Sequence, residues 1–190
     1  LLQRYSADLQ SLQRTYAIPY SESRRTRLER FYAEQQVELG KLDFDKLSLD
    51  GRIDYVLFRN LLDHERKQVG IERVRNAAVD ALIPFAGAIV NLEEKRKRME
   101  PLDAPKTGSD VADLIKSLAG ARKRAEAEKP KAALALRAAA RLAELRETFK
   151  QWYEFFNGFD PQFTWWMADP YKRAGDAIDQ VLVDVTDHLL

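Results

Sequence analysis

Leu134-Ala-Leu-Arg-Ala138-Ala-Ala-Arg-Leu142-Ala-Glu-Leu145-Arg-Glu-Thr-Phe149-Lys-Gln-Trp152-Tyr-Glu-Phe-Phe156 carries an apolar stripe at spacings of three and four. That period puts Leu134, Ala138, Leu142, Leu145, Phe149, Trp152 and Phe156 on one face of an α-helix. Pro130 suits a helix first turn, and Asn157-Gly158 supplies a stop. Ala138, Ala139 and Ala140 leave room for a neighbouring helix to come close. A second long stripe, Ile71, Val74, Ala78, Leu82, Phe85, Ile89 and Leu92, has the same period and calls for a partner. Pro84 is expected to kink that helix, because proline removes a backbone donor and crowds the preceding turn.

Helical periodicity continues through the rest of the chain, with no fixed-length repeat. The spacing predicts a helix over about 2–17 with Leu2, Tyr5, Leu9, Leu12 and Tyr16 on one side, stopped by Pro19. Ser21 or Ser23 caps the next, to about Leu39, with Leu28, Phe31, Tyr32, Gln35 and Leu39 inward and Gly40 as the stop. After a link containing Phe44 and Leu47, Ser48 caps a helix whose inward face is expected to be Ile53, Val56, Leu57, Leu61 and His64, ended or bent by Gly70. The Met99–Ser109 stretch, rich in proline and glycine, reads as a loop, and Ser109 as the cap of a helix to about Glu128. Phe159 to Pro170 reads as an irregular aromatic loop before a last helix from Tyr171 to Leu190, with Ile178, Leu182, Val185 and Leu189 in register. The expectation is an all-α bundle of six or seven helices with an aromatic loop before the last. It forms a single helical domain over 1–190, with subbundles 1–99 and 109–190.

Composition narrows the function. The 31 Lys and Arg nearly cancel 30 Asp and Glu, leaving a net charge of +1, so the basic footprint of a nucleic-acid binder is missing. Cysteine is absent, which removes disulfides, thiolate nucleophiles and sulfur-ligated zinc. No apolar run approaches the roughly 20 residues of a transmembrane segment. The chain opens on Leu1 rather than methionine and reaches Leu190 with no helix stop. These ends lead to the expectation of a removed signal or lipid anchor and of a polypeptide that continues.

The search for chemistry finds no catalytic residue and no metal ligand set. His64-Glu65-Arg66-Lys67-Gln68 begins like the helical zinc-protease signature, in which two histidines four apart bind the metal and the glutamate acts as base. Gln68 stands where the second histidine belongs, and His188 is distant, so His64 reads as a partly buried helical histidine. The clusters Arg24-Arg25-Thr26-Arg27 and Lys95-Arg96-Lys97-Arg98 are interleaved with glutamates and read as solvated helix faces. The segment from Trp152 to Tyr171 stands apart. So apolar a stretch is buried or binds something. Its functional reading is a wall of a peptide groove, with Trp165, Trp166, Tyr171 and Phe163 as contacts and Asp160 or Asp169 as turn and cap formers.

Phe159-Asp-Pro-Gln-Phe-Thr-Trp-Trp-Met-Ala-Asp-Pro-Tyr171 resembles a block of the bacterial "domain of unknown function 885" proteins. Leu49-Asp-Gly-Arg-Ile-Asp-Tyr-Val-Leu-Phe58 is similar to an N-terminal signature of the same family. Members are longer, often exported or lipid-anchored, and look like zinc peptidases whose His-Glu motif lies beyond the region matched. The resemblance implies a non-catalytic N-terminal part that walls or lids a substrate cleft. Its partner would be a C-terminal catalytic domain of the same polypeptide, its ligand a peptide, and its compartment periplasmic or extracytoplasmic. No cofactor is implied in this chain, and zinc belongs to the C-terminal part. The alternative is a stand-alone helical protein-interaction module using the aromatic segment.

Overall fold

Capping and breaking residues divide the chain into helices. The computed structural model describes residues 1–127 and 130–187, with side chains for all of these except 125–127. Among them are seven α-helices: α1 (Leu2–Thr15), α2 (Glu22–Gly40), α3 (Leu49–Leu82), α4 (Ala86–Lys97), α5 (Ala104–Ala127), α6 (Ala132–Phe156) and α7 (Pro161–Thr186). A single 3-10 turn lies at Phe44–Lys46, and the described residues contain no strand. The fold is therefore all-α. No described helix is long and apolar enough to cross a membrane. His188 and the expected inward Leu189 lie outside the described residues.

Contacts cluster into two compact units, Leu1–Asn76 and Ala77–Leu190, with the division inside α3. It does not fall at the 99–109 stretch, which joins α4 to α5 within the second unit. That stretch is also shorter than the sequence suggests, because α5 starts at Ala104 rather than after Ser109. The Asp103 carboxylate accepts the Lys106 backbone N–H at 3.0 Å, and Pro105 sits in the first turn, where its missing donor costs nothing.

In Leu1–Asn76, Ser21 caps α2 by accepting the Arg24 N–H at 3.1 Å, and the Arg24 guanidinium donates back to the Tyr16 carbonyl just past α1. The core is Tyr5, Phe31, Tyr32, Leu39, Phe58, Leu62 and Val69. Tyr5 stacks on Phe31 with ring centroids 5.5 Å apart and meets Phe58 edge-on at 4.9 Å. The Tyr32 hydroxyl donates to Glu65 at 3.3 Å.

This core corrects the expected face of α3. Ile53, Val56, Leu57, Leu61 and His64 are all exposed, while Phe58, Leu62 and Val69 are buried and Tyr55 packs beside them. Two apolar stripes compete on one helix. The one carrying aromatic rings wins because it buries more area and engages the rings of Tyr5 and Phe31. Gly70 neither ends nor interrupts α3. The expected stripe of Ile71, Val74 and Ala78 is also exposed; burial takes hold only from Val79 onward, in the second unit.

In Ala77–Leu190, Pro84 ends a helix instead of kinking one. α3 stops at Leu82 and α4 restarts at Ala86, with Ile83 and Phe85 buried in the turn between. Contacts between the helices set their directions. Arg141 pairs with Asp80 at the end of α3 at 2.8 Å, and Arg96 of α4 lies 4.7 Å from the Phe155 ring, so the chain from the end of α3 through α4 runs in the same direction as α6. Trp152 meets Phe163 at 5.3 Å and Arg146 reaches Asp179 at 3.2 Å, so α7 runs antiparallel to α6. Arg122 pairs with Asp184 at 2.7 Å and Gly108 faces Trp166, so α5 runs parallel to α7. The expected α6 stripe holds from Ala138 to Trp152, all buried, with Leu134 and Phe156 at its half-buried ends.

Among the described residues, two backbone positions have positive φ. Gly158 (81°) turns the chain out of α6, as a glycine does without strain. Met99 does the same job after α4 at φ 55°, with Glu100 N–H donating to the Lys95 carbonyl and Met99 N–H to that of Arg96. A Cβ there is strained, and the Met99 side chain is 91% exposed, so it recovers little by packing. Met99→Gly should therefore stabilise the protein by about 0.5–1 kcal/mol in urea unfolding, whereas Met99→Ala should not.

A second expectation concerns alkaline pH. Burial first, and the Glu65 carboxylate second, raise the Tyr5 and Tyr32 phenols above their ordinary value. The folded state then holds these protons longer than the unfolded chain. The stability they contribute is whole below about pH 10 and is lost as pH rises beyond it. Unfolding measured at about pH 9 and about pH 11 should show this loss, and Tyr32→Phe should lose less between the two.

Candidate functional site

The residues singled out in the sequence sit at one end of the Ala77–Leu190 unit, where α4 and α6 finish and α5 and α7 begin. The expected aromatic loop is mostly helix there. Asp160 caps α7 by accepting the Gln162 and Phe163 N–H groups at 2.9 and 3.2 Å, and Pro161 occupies the first turn. Gly158 N–H donates to the Thr164 hydroxyl at 2.9 Å, tying the short connection to the helix it precedes. The helix then runs through Pro170. Asp-Pro at a helix start is a capping signal, and a hydrophobic period from 163 to 178 follows it; the density of aromatics and Pro170 obscured both.

Helical placement separates the four candidate contacts. Phe163, fully buried, shares the inward face of α7 with Met167, Ala174 and Ile178, so it is core and offers nothing at the surface. Trp165 is two positions on, about 200° around the helix, and is 74% exposed. Trp166, 42% exposed, meets Trp165 edge-on at 4.9 Å and lies against Gly108 of α5. Tyr171 is half-buried, stacked face to face on Tyr153 at 3.7 Å and 3°. Burial raises the Tyr153 phenol, and the neighbouring Tyr171 adds to the rise.

Arg146 anchors this pair from the side, 5.9 Å from the Tyr171 ring and hydrogen-bonded to Asp179. Its guanidinium crosses α7 at Gly175, where an added Cβ would lie 2.9 Å from Nη2. Phe155 and Phe159 are also exposed, Phe159 by 88%. The end of the bundle thus presents Phe155, Phe159, Trp165 and Trp166 on rigid helix termini and a capped turn.

Beside it lies a feature the sequence did not reveal, a cavity of about 300 Å³ between α4, the connection to α5, and α6. Its walls include Lys95, Arg96, Lys106, Trp152 and Phe156. Glu93, buried in α4, holds Arg96 at 2.6 Å. That carboxylate hydrogen bond, reinforced by charge, outweighs the cost of burial and raises the Arg96 guanidinium further. Regular i, i+3 spacing of Glu93 and Arg96 is a visible signal. The cavity is not, because it needs α6 to close it.

The zinc reading of His64 finds no partners. The residue is exposed on α3, and among the described residues no group of three or more His, Cys, Asp or Glu side chains suits a metal ion. Asp160 is a cap, as the sequence suggested, whereas Asp169 pairs with Arg173 at 3.6 Å on the surface of α7.

The different roles of the neighbouring aromatics should separate in unfolding experiments. Phe163→Ala should destabilise by roughly 3–5 kcal/mol and Asp160→Ala by roughly 0.5–2 kcal/mol, while Trp165→Ala should stay within about 0.5 kcal/mol of the parent.

The chain matches no family model, and no curated protein or solved structure matches it.

Proposed function

We propose that this chain is the non-catalytic N-terminal helical domain of a bacterial zinc peptidase and forms a wall or lid of the substrate cleft. Two sequence blocks, Leu49 to Phe58 and Phe159 to Tyr171, support the reading through their resemblance to the domain-of-unknown-function 885 proteins. The observation that carries it is the exposure of Trp165 and Trp166 on a capped, well-packed helix. Indole rings held in this way give a peptide large contact area with little entropy left to lose. The exposed stripe of Leu49, Ile53, Leu57 and Leu61 on α3 is a second apolar surface of the kind a further domain covers.

In this reading the chain contributes no nucleophile, base or metal ligand. Zinc and its chemistry belong to the C-terminal part, and the helices here bind and orient peptide. The localisation is extracytoplasmic.

The decisive experiment detects the native gene product in its source cells with an antibody against this segment. A band much heavier than 21.9 kDa is expected. In that longer protein, Trp165→Ala and Trp166→Ala should raise KM for peptides about tenfold with kcat little changed, since the wall binds ground and transition states alike. A native band at the mass of this segment, without evidence of processing, would overturn the proposal and favour the stand-alone interaction module.

A further inference from the structure

Helix α3 turns one face to the core of the Leu1–Asn76 unit through Phe58, Leu62 and Val69. On the opposite face lies a second apolar line, Leu49, Ile53, Leu57, Leu61, Ile71 and Val74, whose members are 41–75% exposed. At 100° per residue these six fall within about 140° of the helix circumference and along about 38 Å of its length, more than three heptads. Polar residues interrupt the line at its middle, where His64 lies on its axis and is exposed.

The charges on this face complement the face itself once its direction is reversed. Asp54 and Arg75 lie toward one edge of the line, near its opposite ends, and Asp63 and Lys67 lie toward the other edge, near its middle. Asp63 accepts from the Gln36 amide at 2.6 Å, and among the described residues Asp54, Lys67 and Arg75 form no ion pair. One antiparallel alignment of two α3 helices, with His64 beside His64 of the second copy, sets Leu57 against Ile71 of that copy. The same alignment sets Asp54 beside Arg75 and Asp63 beside Lys67 of the second copy, each pair twice by symmetry. A parallel pair would instead place like charges at the same level. A polar residue in the middle of an apolar seam fixes the register at some cost in stability, which is the part His64 plays here.

We infer that this face of α3 pairs antiparallel with the same face of a second copy of the chain. The further domain that covers the apolar line is then the second copy's own helical unit, and the inference does not depend on the peptidase reading.

The test is sedimentation equilibrium of the 190-residue chain from about 1 to about 200 μM. The mass is expected to rise with concentration from 21.9 kDa towards twice that value. Leu57→Lys should weaken association at least about tenfold, and His64→Leu should tighten it about tenfold. Asp54→Arg and Arg75→Asp should each weaken it about fivefold, and the double variant should return to within about twofold of the parent. These positions are exposed, and circular dichroism identical to the parent's shows that the variants fold. Direction is read separately, since the chain contains no cysteine. Under oxidation His64→Cys should give a covalent dimer, whereas Val74→Cys, with its two copies about 30 Å apart, should not. The inference is overturned by a mass that stays at 21.9 kDa up to about 200 μM, by association that Leu57→Lys leaves intact, by a double variant no better than the single ones, or by Val74→Cys cross-linking as readily as His64→Cys.

Discussion

Antiparallel contact between α6 and α7 organises the larger unit, and it is made largely of aromatic rings. Phe149, Trp152 and Tyr153 on α6 interleave with Phe163 and Tyr171 on α7, at centroid separations of 3.7 to 5.8 Å. Offset and edge-on ring pairs combine large buried area with a preferred geometry, so this contact sets both the spacing of the helices and their register. Arg146 reinforces the register by crossing at Gly175, the point where α7 carries no side chain to block it. The remaining helices are placed relative to this pair, α4 along α6 and α5 along α7.

The same contact explains why the exposed aromatic rings collect at one end. Parallel and antiparallel directions bring the C-termini of α4 and α6 to the N-termini of α5 and α7. Chain reversals there depend on Met99, Asp103, Gly158 and Asp160, each at a helix end whose unsatisfied backbone groups need a partner. Rings left over after the inward face of α7 is filled have nowhere to go but outward. Trp165 and Trp166 are the consequence, held firmly because Phe163 and Met167 beneath them are buried.

The smaller unit rests on a different arrangement. Tyr5, Phe31 and Phe58 meet at the centre of α1, α2 and α3, and Tyr32 extends that core to a hydrogen bond with Glu65. By turning its aromatic stripe inward, α3 leaves Ile53, Leu57 and Leu61 in solvent. An exposed apolar line on a long helix is unfavourable in water and is the kind of surface that binding relieves.

Local properties were determined by the sequence alone. Helix propensity, a serine cap for α2 at Ser21 or Ser23, the Ser48 cap and the inward stripe of α6 depend on neighbours within one or two turns, and they follow from the residue order. Tertiary structure decided whatever required a choice between local options of similar quality. α3 carries two apolar stripes, and only the rings of Tyr5 and Phe31 across the interface select Phe58 and Leu62 over Ile53 and Leu57. Residues 159–170 hold both loop and helix signals, and the burial of Phe163 against Trp152 tips them to helix. The cavity beside Lys95 and Lys106 has no sequence signature, because its wall comes from Trp152 and Phe156, more than forty residues further along the chain and adjacent only after packing.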